Sequence, residues 1–295
     1  MKYELSILIP IFKDDCSEMV RALLHQADQV SGLRYEIIVA DDGTPGPLPA
    51  SIQSRLSSLH NVRFIRREQN VGRAAIRNFL CHEAQYEWVL FLDGDMTIID
   101  SRFVIRYLEA DVKDVAYGGY RVGQGEMSCL RYIYEKDCEP QHQAEQRRKR
   151  PFMHFHTSNF LIRRNIMLAY QLDERFRHYG YEDVLWGKQL RNAGFEIAHP
   201  DNPVGFCTYE ENALFVGKTE EGLRTLHTFS NELRGYSQML TFTDGIHIEA
   251  VKQVIRLWHR LFGSLERKNL CGKHPSLTVF KLYKLGFYLS LTKND

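Results

Sequence analysis

The chain has 295 residues, 44% of them apolar and 25% charged, with a formal net charge of +1. These values fit a soluble globular protein of one large α/β domain, or a domain with an appendage, and exclude a disordered or low-complexity chain. No stretch approaches the roughly 18 apolar residues of a membrane span, and nothing in the overall charge points to nucleic acid. The near-neutral total conceals an asymmetry, because Val251–Asp295 holds nine Lys/Arg against two acids.

In chain order, Leu5-Ser6-Ile7-Leu8-Ile9-Pro10 reads as a first strand stopped by proline, followed by a helical segment over Ser17–Val30. Tyr35–Ala40 is a second strand ending in the turn Asp41-Asp42-Gly43-Thr44-Pro45. A helix over Leu48–Leu59, a strand over Val62–Arg66 and a helix over Val71–Glu83 come next. Strands alternating with helices of about 10–15 residues imply βαβ units and a parallel sheet. Beyond Ile98 the pattern loosens. Val115–Val122 reads as a strand, and Gly123–Pro151 is polar and reads as a lid or an unstructured segment. Within it, Arg147-Arg148-Lys149-Arg150 reads as a solvated surface or a site for an anionic ligand. Phe155–Arg163 resumes as a strand, and Asp183–Asn192 reads as a helix closed by Gly194.

The fourth strand carries the chemistry. Val89-Leu90-Phe91-Leu92 is an unbroken apolar run ending in Asp93-Gly94-Asp95. Its end delivers two carboxylates to the edge where open α/β sheets hold their ligands. Two acids so close resist ionising together unless a cation sits between them. Divalent cations that bridge phosphate oxygens are held by one or two such carboxylates. A solvated Asp-Gly-Asp turn is the other reading of these three residues alone. Pro10 and Asp41/Asp42 also end strands, so a parallel sheet gathers them at the same edge.

Four motifs thus stand in order: Ile7-Leu8-Ile9-Pro10-Ile11-Phe12, Val39-Ala40-Asp41-Asp42-Gly43-Thr44, Asn70-Val71-Gly72-Arg73-Ala74-Ala75-Ile76-Arg77-Asn78, and Phe91-Leu92-Asp93-Gly94-Asp95. A fifth, Gly180-Tyr181-Glu182-Asp183-Val184-Leu185-Trp186, lies downstream. Together they resemble the family 2 glycosyltransferases of the GT-A fold, over about Leu5–Phe206. The resemblance implies a Rossmann-like mixed sheet flanked by helices. It implies a GT-A domain over residues 1–245, with a nucleotide-binding half (1–100) and an acceptor half (101–245). Residues 246–295 would form a basic, aromatic-rich helical extension.

By position, the resemblance places Pro10, Phe12, Asp41 and Asp42 at a nucleotide base, usually uracil, and Arg73 and Arg77 on the donor-side helix. Asp95 would bind Mn²⁺ or Mg²⁺ bridging the diphosphate, and Asp93 would contact ribose or metal. Glu182-Asp183 would supply the catalytic pair, with Asp183 as base. The chemistry requires one, because an acceptor hydroxyl must lose its proton as it attacks the anomeric carbon. The implied reaction is inverting transfer from a nucleotide sugar, a UDP-sugar above others, to a glycan or lipid-linked saccharide. The transferred unit would be a hexose or N-acetylhexosamine, in polysaccharide biosynthesis.

Three features depart from the family pattern. Lys13 stands where many relatives have Asn. Val204–Tyr209 holds Cys207 and no histidine, where a third metal ligand often lies, and a thiol suits a hard cation poorly. The region after Phe206 has no motif to map. His199 reads as an ordinary loop histidine, and Trp186 as either an acceptor platform or a core residue.

Two other readings compete. Asp93-Gly94-Asp95-Met96-Thr97 matches the D-x-D-x-T signature of haloacid-dehalogenase-type phosphatases, with Asp93 as nucleophile, but three strand–helix units precede it. A catalytically silent nucleotide-sugar or glycan-binding module would keep the same acids. Six cysteines without C-x-x-C spacing, and an amino terminus without a signal peptide's apolar length, lead to the expectation of a cytoplasmic protein. Val254, Ile255, Trp258, Leu261 and Phe262 recur at helical spacing among Lys252, Arg256 and Arg260. Val279–Leu291 repeats the mixture of aromatics and lysines. The tail, with Trp258, Phe262, Phe280, Tyr283, Phe287 and Tyr288, is therefore either a packed helix or a peripheral contact with an anionic membrane.

Overall fold

A computed structural model describes residues 1–46 and 50–292. Among the described residues ten strands form two sheets: β1 (Glu4–Ile11), β2 (Arg34–Asp41), β3 (Val62–Arg66), β4 (Trp88–Leu92), β5 (Met96–Thr97), β6 (Val115–Tyr117), β7 (Tyr120–Val122), β8 (Asn159–Arg163), β9 (Ile197–Ala198) and β10 (Val204–Phe206). The central sheet has seven strands in the order β3-β2-β1-β4-β8-β6-β9, and the small one runs β5-β10-β7. Strands β3, β2, β1 and β4 are parallel, and β8 runs antiparallel between β4 and β6. The sheet is therefore mixed, as the family resemblance implies.

Alternation along the central strands feeds two apolar layers. Leu5, Ile7, Ile9, Leu90 and Leu92 join the helices Ser17–Asp28 and Phe103–Glu109 on one face. Leu8, Val89 and Phe91 join the helices Arg73–Glu83, Arg164–Ala169 and Glu182–Asn192 on the other. Trp88–Leu92 is buried throughout because helices cover both faces. Trp186 belongs to this second layer, fully buried with its Nε1–H donating to Tyr170 O at 2.7 Å, so it is a core residue and offers no acceptor platform.

The register sets the site. Ile11 lies level with Asp41, and Leu8 with Phe91, so Pro10, Asp41 and Asp93 emerge along one edge. Gly94 sits where a Cβ would come 2.5 Å from Ile11 Cγ2 and 3.2 Å from Pro10 O. Only glycine lets the two acids flank a turn this close to β1.

Several boundaries differ from expectation. The helix expected over Leu48–Leu59 is seen over Ala50–Ser57, its expected first residues lying outside the described residues. The helix expected from Val71 begins at Arg73, because the Asp42 carboxylate accepts from the N–H groups of Val71 and Gly72 and holds them outside it. The single strand expected over Val115–Val122 breaks at Gly118-Gly119 and serves both sheets. Residues 123–151 are largely helical, with helices Leu130–Cys138 and Ala144–Lys149 joined by a 3₁₀ turn. The basic cluster there is not a uniformly solvated surface. Arg147 is buried, donating to Tyr117 O, Gly118 O and His142 O, where free backbone carbonyls compensate its burial.

After β10 the chain is helical: Asn212–Thr228, Ser230–Leu233, Gln238–Asp244, Glu249–Leu270 and Leu277–Ser290. Leu130, Ile133, Phe215, Val216, Leu270, Phe280 and Tyr283 make one cluster, which packs the last helix against the helices Leu130–Cys138 and Asn212–Thr228. Tyr288 is buried in a second cluster. Among the described residues no helix is long and apolar enough to cross a membrane.

Candidate active site

At the end of β4, Asp93 is held by arginines. Asp93 N–H donates to Ser158 O at 3.0 Å, fixing the strand end. Asp93 Oδ1 pairs with Arg77 and Oδ2 lies 3.4 Å from Arg73 Nη2. The two arginines are one helical turn apart, and Arg77 also donates to Arg73 O at 2.9 Å. Arg77 is buried, so a carboxylate beside it is required to offset its charge. Asp93 meets that need through Oδ1, while its Oδ2 faces Arg73.

Among the described residues Asp95 makes no ion pair, and it is exposed at the cleft. Desolvation, then the charges of Asp93 and Asp14, push its carboxyl up to about 6, with Arg73 opposing. Asp14 is raised as well, by desolvation first and by Asp93, with the Phe12 N–H opposing. Lys13, Asp14, Asp15, Asp95, Thr97 and Thr208 line a cleft of about 450 Å³ beside these acids. Among the described residues no three His, Cys, Asp or Glu side chains gather as a ready metal cage. The uncompensated charge at Asp95 and Asp14 nevertheless fits a divalent cation that takes its other ligands from phosphate and water. Asp14 was not singled out by the sequence reading, although an acid just past a strand end carries the same signal as Asp41 and Asp93.

Glu182 and Asp183 open the helix Glu182–Asn192, where the aligned N–H groups favour acids. Gly180 (φ 95°) and Tyr181 (φ 71°) turn the chain sharply into that helix. Glu182 is buried, with Oε1 3.3 Å from Arg73 Nε and Oε2 accepting no hydrogen bond. Its pKa is raised by desolvation, with Arg73 opposing. Asp183 Oδ1 accepts from the Val184 N–H at 2.8 Å, and Oδ2 lies 2.9 Å from His156 Nδ1. Desolvation works against the Asp183 charge, but the His156 contact outweighs it and the carboxyl is held below its ordinary range. For His156 desolvation likewise opposes charge, and Asp183 prevails to raise its pKa. Nothing in the sequence marks His156, because it sits 27 residues from its partner.

At the end of β2, Asp41 is buried, and Oδ1 accepts from Thr44 Oγ1 at 2.5 Å. Asp41 Oδ2 accepts no hydrogen bond, and Arg66 Nε lies 3.5 Å away. Asp42 is buried and spends both oxygens on Val71 and Gly72, at 3.1 Å each. Pro10 is partly covered and Phe12 is exposed above them. Lys13 takes φ 69°, a left-handed conformation that Asn tolerates better, and its N–H donates to Thr44 Oγ1 at 2.8 Å. His199, by contrast, is no ordinary loop residue. It is buried between Arg147 Nη1 at 3.1 Å and Pro151 O at 3.0 Å, and burial pushes its pKa down to about 3.

Solved structures share this architecture at low identity. A mannosyltransferase from Pyrobaculum calidifontis, in complex with GDP-Man and Mn²⁺, aligns with TM-score 0.59 and 10% identity over 97% of this chain and 84% of its own. TarS 1–349 from S. aureus, in complex with UDP-GlcNAc, aligns with TM-score 0.53 and 16% identity over 97% and 90%. At such identity the likeness is one of fold. Curated protein sequences give no match. The family comparison is decisive, because Glycosyl transferase family 2 matches residues 6–170, more than half of the chain and four of its five motifs. The chain therefore belongs to glycosyl transferase family 2.

Proposed function

We propose that this glycosyltransferase works by inversion, moving a sugar from a UDP-sugar to a hydroxyl of a glycan or lipid-linked saccharide, with Asp183 as the general base. The observation that carries the reading is the position of Arg73. Its guanidinium reaches Asp93 at 3.4 Å and Glu182 at 3.3 Å. It thereby ties the donor-side strand end to the acid pair of the acceptor half. Desolvation opposes its charge, but Glu182 and Asp93 together keep Arg73 firmly protonated.

In one displacement the acceptor oxygen bonds to the anomeric carbon while the bond from that carbon to the diphosphate oxygen breaks. The acceptor proton goes to an Asp183 carboxylate oxygen, and the departing diphosphate takes the electron pair. Both Asp183 oxygens already accept one hydrogen bond, and each keeps a second lone pair. Asp95, with Asp14 beside it, would hold Mn²⁺ or Mg²⁺, which when bound offsets charge on the departing diphosphate. Arg77 and Arg73 fix Asp93 so that the strand end keeps its shape. Asp41 Oδ2, which accepts no hydrogen bond and has Arg66 as its ion-pair partner, supports a uracil N–H as the base-side donor.

The assignment of Asp183 rests on access. Proton affinity alone would favour Glu182, whose pKa is raised, but its side chain is 5% exposed against 17% for Asp183. Glu182 is instead the anchor for Arg73. Diphosphate release should be measured over a panel of nucleotide sugars with Mn²⁺ and a saccharide acceptor. Release from a uridine donor, with inverted product, supports the reading. Donor binding without release from any donor would identify a silent binding module.

A further inference from the structure

The carboxyl-terminal region contains an apolar surface that the catalytic site does not use. In the helix Glu249–Leu270, the side chains of Val251, Val254, Leu257, Trp258, Leu261, Phe262 and Leu265 are between 38% and 66% exposed. At 3.6 residues per turn they fall within an arc of about 140°, over a length of about 21 Å. Gly263, Glu266 and Leu270 form the buried side of the same helix. Phe242 and Ile248, which precede this helix in the chain, are exposed as well. The tail aromatics grouped together in the sequence thus divide. Phe280, Tyr283 and Tyr288 are core, whereas Trp258 and Phe262 face outward with ring centroids 4.4 Å apart. A contiguous exposed surface of this size on a folded chain marks an interaction site.

We infer that this face rests on an anionic lipid surface, with the helix lying in the plane of the interface. The charge of the helix favours a lipid surface. The helix carries Lys252, Arg256, Arg260, Arg267 and Lys268 against Glu249 and the buried Glu266. Arg256 pairs with Glu249 and Arg267 with Glu220, while Lys252, Arg260 and Lys268 make no ion pair among the described residues. Lys268 borders the apolar arc while Lys252, Arg256, Arg260 and Arg267 lie on the other side of the helix, the division of an interfacial helix with a basic polar face, and acidic headgroups complement that charge. The width of the arc agrees, because it exceeds the narrow two-position seam of a paired coil. The Trp258 Nε1–H donates to Glu266 Oε1 at 2.8 Å, so the polar atom of the indole is already satisfied when its ring enters the interface. Docked this way, the enzyme would meet acceptors held at a membrane.

The test uses the full chain and a readout independent of turnover. Trp88 and Trp186 are buried and Trp258 is 44% exposed, so a shift of tryptophan emission on adding vesicles reports Trp258. With phosphatidylcholine vesicles containing about one third phosphatidylglycerol we expect a blue shift and co-sedimentation, both weakened by salt and absent with phosphatidylcholine alone. The double variant Val254→Glu/Leu261→Glu changes only exposed side chains and should bind at least about tenfold more weakly. Arg260→Glu/Lys268→Glu should reduce the preference for anionic lipid. Equal binding by the apolar double variant, or no binding by the parent chain, overturns the inference. So does a concentration-dependent dimer, seen by light scattering, that Val254→Glu/Leu261→Glu dissolves, since the face then belongs to a second copy. None of these failures touches the proposed transfer reaction, which diphosphate release reads with a soluble acceptor.

Discussion

Replacing Asp183 with asparagine separates the proposed base from its structural surroundings. The amide oxygen can keep the Val184 N–H bond, now 2.8 Å, while the NH₂ group faces His156 Nδ1 in the neutral tautomer. One charge-assisted bond becomes a neutral one, a stability change of about 1 kcal/mol, too small to unfold the domain. Loss of a general base costs about 10²–10⁴ in rate, or about 2.7–5.4 kcal/mol of barrier at 1.36 kcal/mol per tenfold. Turnover should therefore collapse while calorimetric affinity for UDP with Mn²⁺ stays within about twofold of the parent, because Asp183 contacts none of the donor-side residues. Glu182→Gln supplies the control. It removes the anion that anchors Arg73, so it should disturb donor affinity as well as rate. Retention of more than about a tenth of turnover in Asp183→Asn, together with collapse in Glu182→Gln at unchanged donor affinity, would refute the reasoning and give Glu182 the base.

Other perturbations act on separate parts of the site. Asp95→Ala should abolish the tightening of UDP by Mn²⁺ and leave the metal-free affinity and the melting temperature nearly unchanged; calorimetry with chelator and with Mn²⁺ decides it, and a surviving metal effect moves the ligand elsewhere. Gly94→Ala places a methyl 2.5 Å from Ile11 Cγ2 on a stiff β-branched side chain, so chemical denaturation should show a loss of about 1–3 kcal/mol, and donor affinity should fall with it. For His156, the folded pKa lies above the ordinary 6.5, so the stabilisation it gains from Asp183 is full below 6.5 and is lost as pH rises through the folded value. Melting temperatures from about pH 5.5 to about pH 8.5 should show His156→Gln furthest below the parent at the acid end and converging upward, and a constant gap would remove the ion pair as its cause.

What the sequence disclosed depended on the range of the interaction. The strand Trp88–Leu92 and its terminal acids were legible because burial on both faces demands an unbroken apolar run, and that demand is local. Arg73 and Arg77 were legible as a pair because helical spacing fixes their common face. Their partner Asp93 was not, since only the register Leu8 to Phe91 brings β4 level with that helix. Arg147 was misread for the same reason. Its four-residue basic run looks solvated, but the carbonyls that hold it come from Tyr117 and Gly118, about thirty residues away in the chain, where glycine breaks a strand. The tail divided on packing alone. Phe280 and Trp258 carry the same apolar signal, and only the partners Tyr134 and Phe215 send Phe280 inward.

The placement of Arg73 also links the end of β4 to the start of the helix Glu182–Asn192. Asp42 holds Val71 and Gly72 outside the helix, and this sets where Arg73 begins it. From that position one side chain reaches two carboxylates, Asp93 on a strand end, which Arg77 also holds, and Glu182 on a helix start, which has no other ion-pair partner among the described residues. Breaking a buried pair costs more than forming it gains, because the abandoned charge stays desolvated. Glu182, buried and with one oxygen already unpartnered, is the more exposed to that penalty. A change at Asp42 would therefore be felt at Glu182 through Arg73, without either residue touching the other.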